Sequence, residues 1–138
     1  MLTLAIIKPD ALAAGSAGKI LAHLEGQGFT VRAARMVRLT TPQAEAFYAV
    51  HRERPFFRSL VTFMTSGPCI PLVLERTDAV TALRAAIGST DPAEAAPGTV
   101  RKLFAQSKEK NAIHASDSPE NAAREVAFFF TEGDLAGL

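Results

Sequence analysis

The sequence predicts an α+β sandwich of ferredoxin-like type, with one sheet and helices packed on it. Three observations lead there. Apolar runs and helical stripes alternate along the chain as strand, helix, strand, helices, strand, helix, strand, helix. The strands are few and their connections are long enough to hold helices, whose apolar faces must be buried against a sheet. The turn after the first strand, Lys8-Pro9-Asp10, lacks the glycines that a doubly wound sheet needs at that place.

Taken in order, Leu2 to Ile7 is an apolar run rich in β-branched residues and reads as a buried strand. Ser16 is expected to cap a helix that carries Ala17, Ile20, Leu21 and Leu24 on one face and ends at Gly26-Gln27-Gly28. Phe29 to Leu39 alternates well enough for a second strand. Thr41-Pro42 opens the next helix, with proline at its start. Pro55 introduces a short helix, Phe56 to Met64, which Ser66-Gly67-Pro68 breaks. Cys69 to Leu74 reads as the third strand. Asp78 is expected to cap a helix that buries Val80, Leu83 and Ile87 and stops at Gly88. Ser89 to Lys110 is a long irregular stretch whose one good helical candidate is Asp91 to Ala96. Loops of that length in a small domain are usually functional. Ala112-Ile113-His114 forms a short last strand, and Ser118-Pro119 caps a final helix running to about Phe130.

The 138 residues, 1–138, make one ordinary domain, which should bury roughly two-thirds of the surface its unfolded chain exposes. With 48% apolar residues the chain does not read as disordered. Its 15 basic and 14 acidic side chains leave a formal charge of only +1, which excludes an electrostatic glove for long nucleic acid; any anion site must come from a few local cations. Cys69 is the single cysteine, so no internal disulfide can form, as suits a reducing cytoplasm. Leu2 to Ile7 is too short for a signal-peptide core and has no basic leader, and nothing approaches a membrane span.

The densest polar cluster is Asn111-Ala112-Ile113-His114-Ala115-Ser116-Asp117-Ser118, where a short strand meets a helix start. Read alone, His114 is as readily a loop histidine beside a helix cap as a reactive group. Glu125 changes the balance. On the last helix Ala122, Val126 and Phe129 form the core stripe, and Glu125 lies within it. A carboxylate turned inward needs a partner. The imidazole of His114 or the hydroxyl of Ser116 could supply one, and such a carboxylate would fix the tautomer of an imidazole nucleophile. The alternative is a helix-edge glutamate paired to Arg124 or to solvent. Arg84, four residues after Val80, shares the buried face of its helix, and arginine suits bidentate phosphate binding. Arg101 follows Gly98-Thr99 in the long loop, and Lys8 ends a strand. Each taken singly is also a surface cation whose stem covers apolar surface.

Together these residues resemble the nucleoside diphosphate kinase family over essentially the whole chain. The matching segments are Ile7-Lys8-Pro9-Asp10, then Phe47-Tyr48 with His51 and Arg54-Pro55-Phe56-Phe57, and Thr65-Ser66-Gly67-Pro68. Gly88 with Thr90 and Pro92 follows, then Pro97-Gly98-Thr99-Val100-Arg101 and the His114 cluster, which fits the family's specific N-x-x-H-G/A-S-D signature. The resemblance implies a four-stranded antiparallel core and a ping-pong transfer of the γ-phosphoryl group from a nucleoside triphosphate to a nucleoside diphosphate. His114 would attack through Nδ1, with its other nitrogen held by Glu125 and supported by Ser116. Lys8 and Tyr48 would complete the catalytic set and, with Asn111, line the phosphate and ribose site. Arg84, Thr90 and Arg101 would hold the β- and γ-phosphates. Phe56 would stack on the base, which implies little base specificity because every base has a π-face. Mg²⁺ would arrive on the nucleotide phosphates, with no dedicated protein ligands. The family also implies a cytoplasmic homo-oligomer, a dimer-based tetramer or hexamer.

Three positions depart from the family pattern. Ala115 stands where glycine is usual, a small change that leaves the chemistry intact. Lys102-Leu103 replaces Gly-Asp after the loop arginine, and Lys108 replaces an apolar residue near the mouth; both bear on the loop and on subunit contacts. His23 reads as a surface histidine, His51 as structural, Cys69 as a core hydrophobe and Phe128-Phe129-Phe130 as core and interface. Three other functions compete. A silent nucleotide-binding relative would lack His114 or Glu125. A regulatory module would not need so many inward charges. A phosphohistidine relay protein carries its histidine on an exposed helix face, whereas His114 precedes its helix.

Overall fold

Strand β1, Leu2–Ile7, lies in the middle of the sheet, and its residues from Thr3 onward are buried. That is why its sequence is continuously apolar rather than alternating. It pairs antiparallel with β3, Ile70–Glu75, on one side and with β4, Ile113–Ala115, on the other. β2, Thr30–Ala34, forms the outer edge beside β3, giving the order β2-β3-β1-β4. The computed structural model describes residues 1–136; Gly137 and Leu138, the end of the predicted domain, lie outside the described residues.

Side chains alternate between the faces of the sheet, so β1 and β3 feed two separate cores. Leu4, Ile6 and Val73 face α3 (Thr41–Phe47), α4 (Phe57–Met64) and α7 (Pro119–Phe129), in a core with Phe47, Val61, Met64 and Phe129. Ala5, Ile7, Leu72 and Leu74 face α2 (Ala17–Gly26) and α5 (Ala79–Ile87), with Ile20, Leu24, Leu83 and Ile87. The architecture is the expected four-stranded antiparallel sheet with helices on it.

Several local expectations need correction. The predicted second strand, Phe29 to Leu39, contracts to Thr30–Ala34, with a register shift between Val31 and Ala33; beyond it the Arg35 N–H still donates to the Pro71 carbonyl, and an isolated bridge joins Val37 to Cys69. The expected helix at Asp91 to Ala96 is a set of turns. The helix of the long loop is instead α6, Val100–Phe104, whose first turn Thr99 caps by accepting from the Lys102 N–H. Two other short helices escape the sequence reading: α1, Pro9–Ala13, and α8, Glu132–Leu135. Ser16 and Asp78 occupy cap positions without a side-chain cap bond, and Asp78 is left-handed at φ 51°. α3 opens at Thr41 as expected, and Thr40 caps it through a reciprocal pair with Gln43. His23 is half-buried rather than on the surface, with a buried Nε2 that has no partner.

Candidate active site

β4 carries the site. Its middle residue, His114, pairs with Ile6 of β1 and turns its ring toward α7, where Glu125 waits in the core stripe. Nε2 of His114 lies 2.7 Å from Glu125 Oε1, and the Ser116 hydroxyl donates to the same oxygen at 2.8 Å. Glu125 is 5% exposed, and Arg124 approaches its second oxygen at 3.4 Å. The inward reading of Glu125 and its alternative pairing with Arg124 therefore both hold, with His114 and Ser116 making the shorter contacts. Phe47 and Tyr48 meet the imidazole edge to face, at 5.4 and 6.2 Å between ring centres.

These surroundings set the protonation states. Burial pushes the His114 pKa below its ordinary 6.5, against the pull of Glu125. Burial would raise the Glu125 carboxyl, but its bonds to His114 and Ser116 and the nearby Arg124 hold it below the usual value. Near pH 7 the pair is thus a neutral imidazole beside an ionised carboxylate. A neutral imidazole bonded to a carboxylate must carry its proton on Nε2. Nδ1 is left with a free lone pair, which can act as a nucleophile.

Cations hold the backbone around this ring, and the charges of Lys8 and Arg101 reach the imidazole. Arg101 is 5% exposed and donates to the carbonyls of Ile113 at 2.8 Å and Gly88 at 3.1 Å. Arg84 donates to the carbonyl of Ala115 at 3.2 Å. The two guanidiniums therefore grip the backbone on either side of His114, and both keep N–H groups to spare. Arg84 does not share the buried face of its helix: α5 buries Ala79, Val80, Leu83 and Ile87, and Arg84 is exposed. Burial and the neighbouring Arg84 lower the Arg101 pKa to about 10, still fully charged at pH 7. Lys8 at the end of β1 donates to Asn111 Oδ1 at 2.8 Å; burial, then Arg101, lowers its pKa to about 8.

Asn111 in turn donates to the Thr90 carbonyl at 3.2 Å, tying the long loop to the site. Gly88 lets the start of that loop pack closely on Thr99. It sits at φ 89°, ψ −178°, a region essentially reserved for glycine, and a Cβ there would come within 2.5 Å of Thr99 Oγ1. The Tyr48 hydroxyl and Arg101 Nε are buried without a protein partner. Burial also keeps the Tyr48 phenol protonated, well above its ordinary pKa.

Phe56 stands apart from this cluster. It is 44% exposed at the N-terminal end of α4, beside His51 at 5.4 Å and Arg54 at 5.9 Å. Thr90 is exposed, joined to the site through its backbone alone. Two contributors escaped the sequence reading. Phe47 packs against the His114 ring. Asp10 Oδ2 accepts from the Ala112 N–H at 3.1 Å. The signal for Asp10 was its place beside Lys8 at a strand-to-helix junction.

Comparison with known proteins agrees with this geometry. The family model described as nucleoside diphosphate kinase matches residues 2–135. A nucleoside diphosphate kinase of Halorhodospira halophila is 57% identical over 133 residues, 96% of this chain and 94% of the relative. One from Desulfatibacillum aliphaticivorans is 51% identical over 135 residues, 98% of each chain. Among solved structures, the Aquifex aeolicus nucleoside diphosphate kinase superposes with a TM-score of 0.96 at 49% identity, covering 98% of both chains. A halophilic nucleoside diphosphate kinase of Halobacterium salinarum, solved in complex with CDP, gives 0.94 at 36% identity, covering 100% of this chain and 92% of that one. With β4 bearing a histidine held by a buried glutamate between two arginines, and with near-full-length identity to these enzymes, the chain belongs to the nucleoside diphosphate kinase family, enzymes that transfer phosphoryl groups between nucleotides through a histidine intermediate.

Proposed function

We propose that residues 1–138 act as one catalytic domain in which His114 carries the transferred phosphoryl group. The observation behind this reading is the 2.7 Å contact from His114 Nε2 to Glu125, which leaves Nδ1 free on a ring flanked by Arg84 and Arg101. The Nδ1 lone pair attacks the γ-phosphorus, the bond from phosphorus to the β–γ bridging oxygen breaks, and the nucleoside diphosphate leaves with that electron pair. In the second half-reaction a terminal oxygen of the acceptor diphosphate attacks the phosphohistidine and restores free Nδ1. The proton stays on Nε2 throughout, held by Glu125, with Ser116 fixing the carboxylate. Lys8, Arg84 and Arg101 stabilise charge on the non-bridging oxygens, and positioning with charge stabilisation is most of what phosphoryl transfer asks. Tyr48 packs edge-on against the imidazole as part of the catalytic set, and Asn111 and Thr90 complete the phosphate and ribose contacts. Phe56 offers its exposed ring to any base, so purine and pyrimidine nucleotides serve alike.

Each carboxylate nearest the site is held by a protein donor: Glu125 by His114 and Ser116, Asp117 by Asn121, and Asp10 through Oδ2 by the Ala112 N–H, its buried Oδ1 having no partner. That donor set suits Mg²⁺ held by the nucleotide's own phosphate oxygens. Bound there, Mg²⁺ neutralises part of the phosphate charge. Among the described residues no helix is long and apolar enough to cross a membrane. Free nucleotides in the cytoplasm are the substrates of this proposal, and it needs no nucleic acid. The half-buried edge strand β2 accords with a dimer-based tetramer or hexamer, which analytical ultracentrifugation would measure. The reading of His114 is tested by His114→Ala: phosphoenzyme and turnover vanish while nucleotide still binds. Turnover retained in that variant, free of contaminating kinase, refutes it.

A further inference from the structure

Ala112 is the one described residue other than glycine and Asp78 with a positive φ, at 74°, and it is fully buried. L-residues avoid this region because Cβ crowds the following carbonyl. No glycine relieves the crowding, so surrounding bonds must hold the conformation. Three do. Asp10 Oδ2 accepts from the Ala112 N–H at 3.1 Å, the Lys8 N–H donates to the Ala112 carbonyl at 2.9 Å, and the Ile113 N–H turns back to the Asn111 carbonyl at 2.9 Å. The first comes from the first turn of α1 and the second from Lys8, the residue that joins β1 to α1. Of these, only the bond from Asp10 is made by a side chain, so only it can be removed by substitution without altering the backbone.

The strained residue sits between two groups of the site. Asn111 precedes it and receives the Lys8 ammonium at 2.8 Å; His114 follows two residues later. A rotation at Ala112 would carry Asn111 away from Lys8 and alter the entry of β4, and with it the line from Nδ1 to an incoming phosphorus. Asp10 is 8% exposed, so its bond to Ala112 is shielded from water. We propose that Asp10 is a positioning residue of the transfer site, its carboxylate pinning Ala112 in the left-handed conformation that sets Asn111 and His114 in register with the phosphates. This rests on the reading of His114 as the nucleophile.

The test compares Asp10→Ala, Asp10→Asn and the double variant Asp10→Ala/Ala112→Gly with the full chain. The readout is the single-turnover rate of phosphohistidine formation at saturating ATP, with thermal melts run alongside. Misplacing a reacting group by about an ångström can cost about 100-fold, so Asp10→Ala should be slowed roughly 10- to 100-fold. Asp10→Asn loses the charge but keeps an oxygen for the Ala112 N–H, and should stay within about threefold of wild type. Glycine takes a positive φ without Cβ crowding, so the double variant should recover most of the rate. A wild-type rate in Asp10→Ala overturns the proposal. So does Asp10→Asn as slow as Asp10→Ala, which would make charge the cause, or a double variant that recovers nothing. If Asp10→Ala does not fold, the other two decide, since both must then react near the wild-type rate. Failure of the His114 reading is separate: the wild-type protein would itself carry no label on that residue.

Discussion

Glu125→Gln keeps the shape of the side chain and removes its charge, so it isolates what the carboxylate does. In the wild-type protein one oxygen, Oε1, receives both His114 Nε2 at 2.7 Å and Ser116 Oγ at 2.8 Å, in a site only 5% exposed. Hydrogen bonds to a charged group are worth about 1.5–3 kcal/mol against about 0.5–1.5 for neutral ones. Neutralising the acceptor of two bonds therefore costs about 2 kcal/mol, close to 30-fold in rate if the bonds strengthen as phosphohistidine forms. Orienting groups of this kind reach about 10²–10⁴-fold, so 30-fold is the lower bound. The carboxylate also raises the His114 pKa against burial. Its loss leaves the imidazole more firmly neutral, and the deficit should not be recovered by raising the pH. Rapid mixing with ATP and quantification of phosphoenzyme over milliseconds reads the rate directly, with nucleotide affinity little changed because no phosphate ligand is lost. Phosphorylation of Glu125→Gln within about threefold of wild type would refute the reasoning and leave Glu125 a structural partner of Ser116 and Arg124.

Lys8 gives opposite slopes in two assays. Its folded pKa of about 8 lies below the ordinary lysine value of 10.5, so between these values the unfolded chain binds more protons and the ligand-free protein gains stability as pH rises. Across the same window the site loses a cation, so kcat/KM should fall from about pH 8 upward; a flat kcat/KM to pH 9.5 would contradict this. Phe56→Ala should raise the KM for every nucleotide, by the loss of about 1–3 kcal/mol of stacking, without reordering the bases; a change for purines alone would reveal a base-reading pocket. Gly88→Ala places a Cβ 2.5 Å from Thr99 Oγ1 at φ 89° and should cost about 2–4 kcal/mol, a fall of roughly 10 °C in Tm by calorimetry. An unchanged Tm would mean that the loop bearing Arg101 repacks freely.

The sheet was legible because its strands and covering helices carry unbroken apolar patterns: β1, β3, α2, α5 and α7 lie where their buried stripes put them. What escaped is short. α1 and α6 have five residues each and α8 four, too few for a period to declare itself, although the caps at Thr99 and Thr131 were readable. Asp91 to Ala96 has helical composition but no apolar face to bury, and tertiary contacts decide it. In the site, the inward Glu125 was visible from its helix stripe alone. Arg84 at its exposed rim position, and Arg101 wholly buried against the Gly88 and Ile113 carbonyls, were not distinguishable from sequence, because both roles depend on how far β4 lies from each helix. The hold of Asp10 on Ala112 spans 102 residues, and no local pattern announces it.

The most direct measurement incubates the pure protein with [γ-³²P]ATP, maps the label, and then adds an unlabelled nucleoside diphosphate. The account predicts one acid-labile, alkali-stable phosphoryl group on His114, formed at a rate competent for turnover and discharged completely to the acceptor. Label that is acid-stable, that lies on another residue, or that the acceptor cannot remove would contradict it.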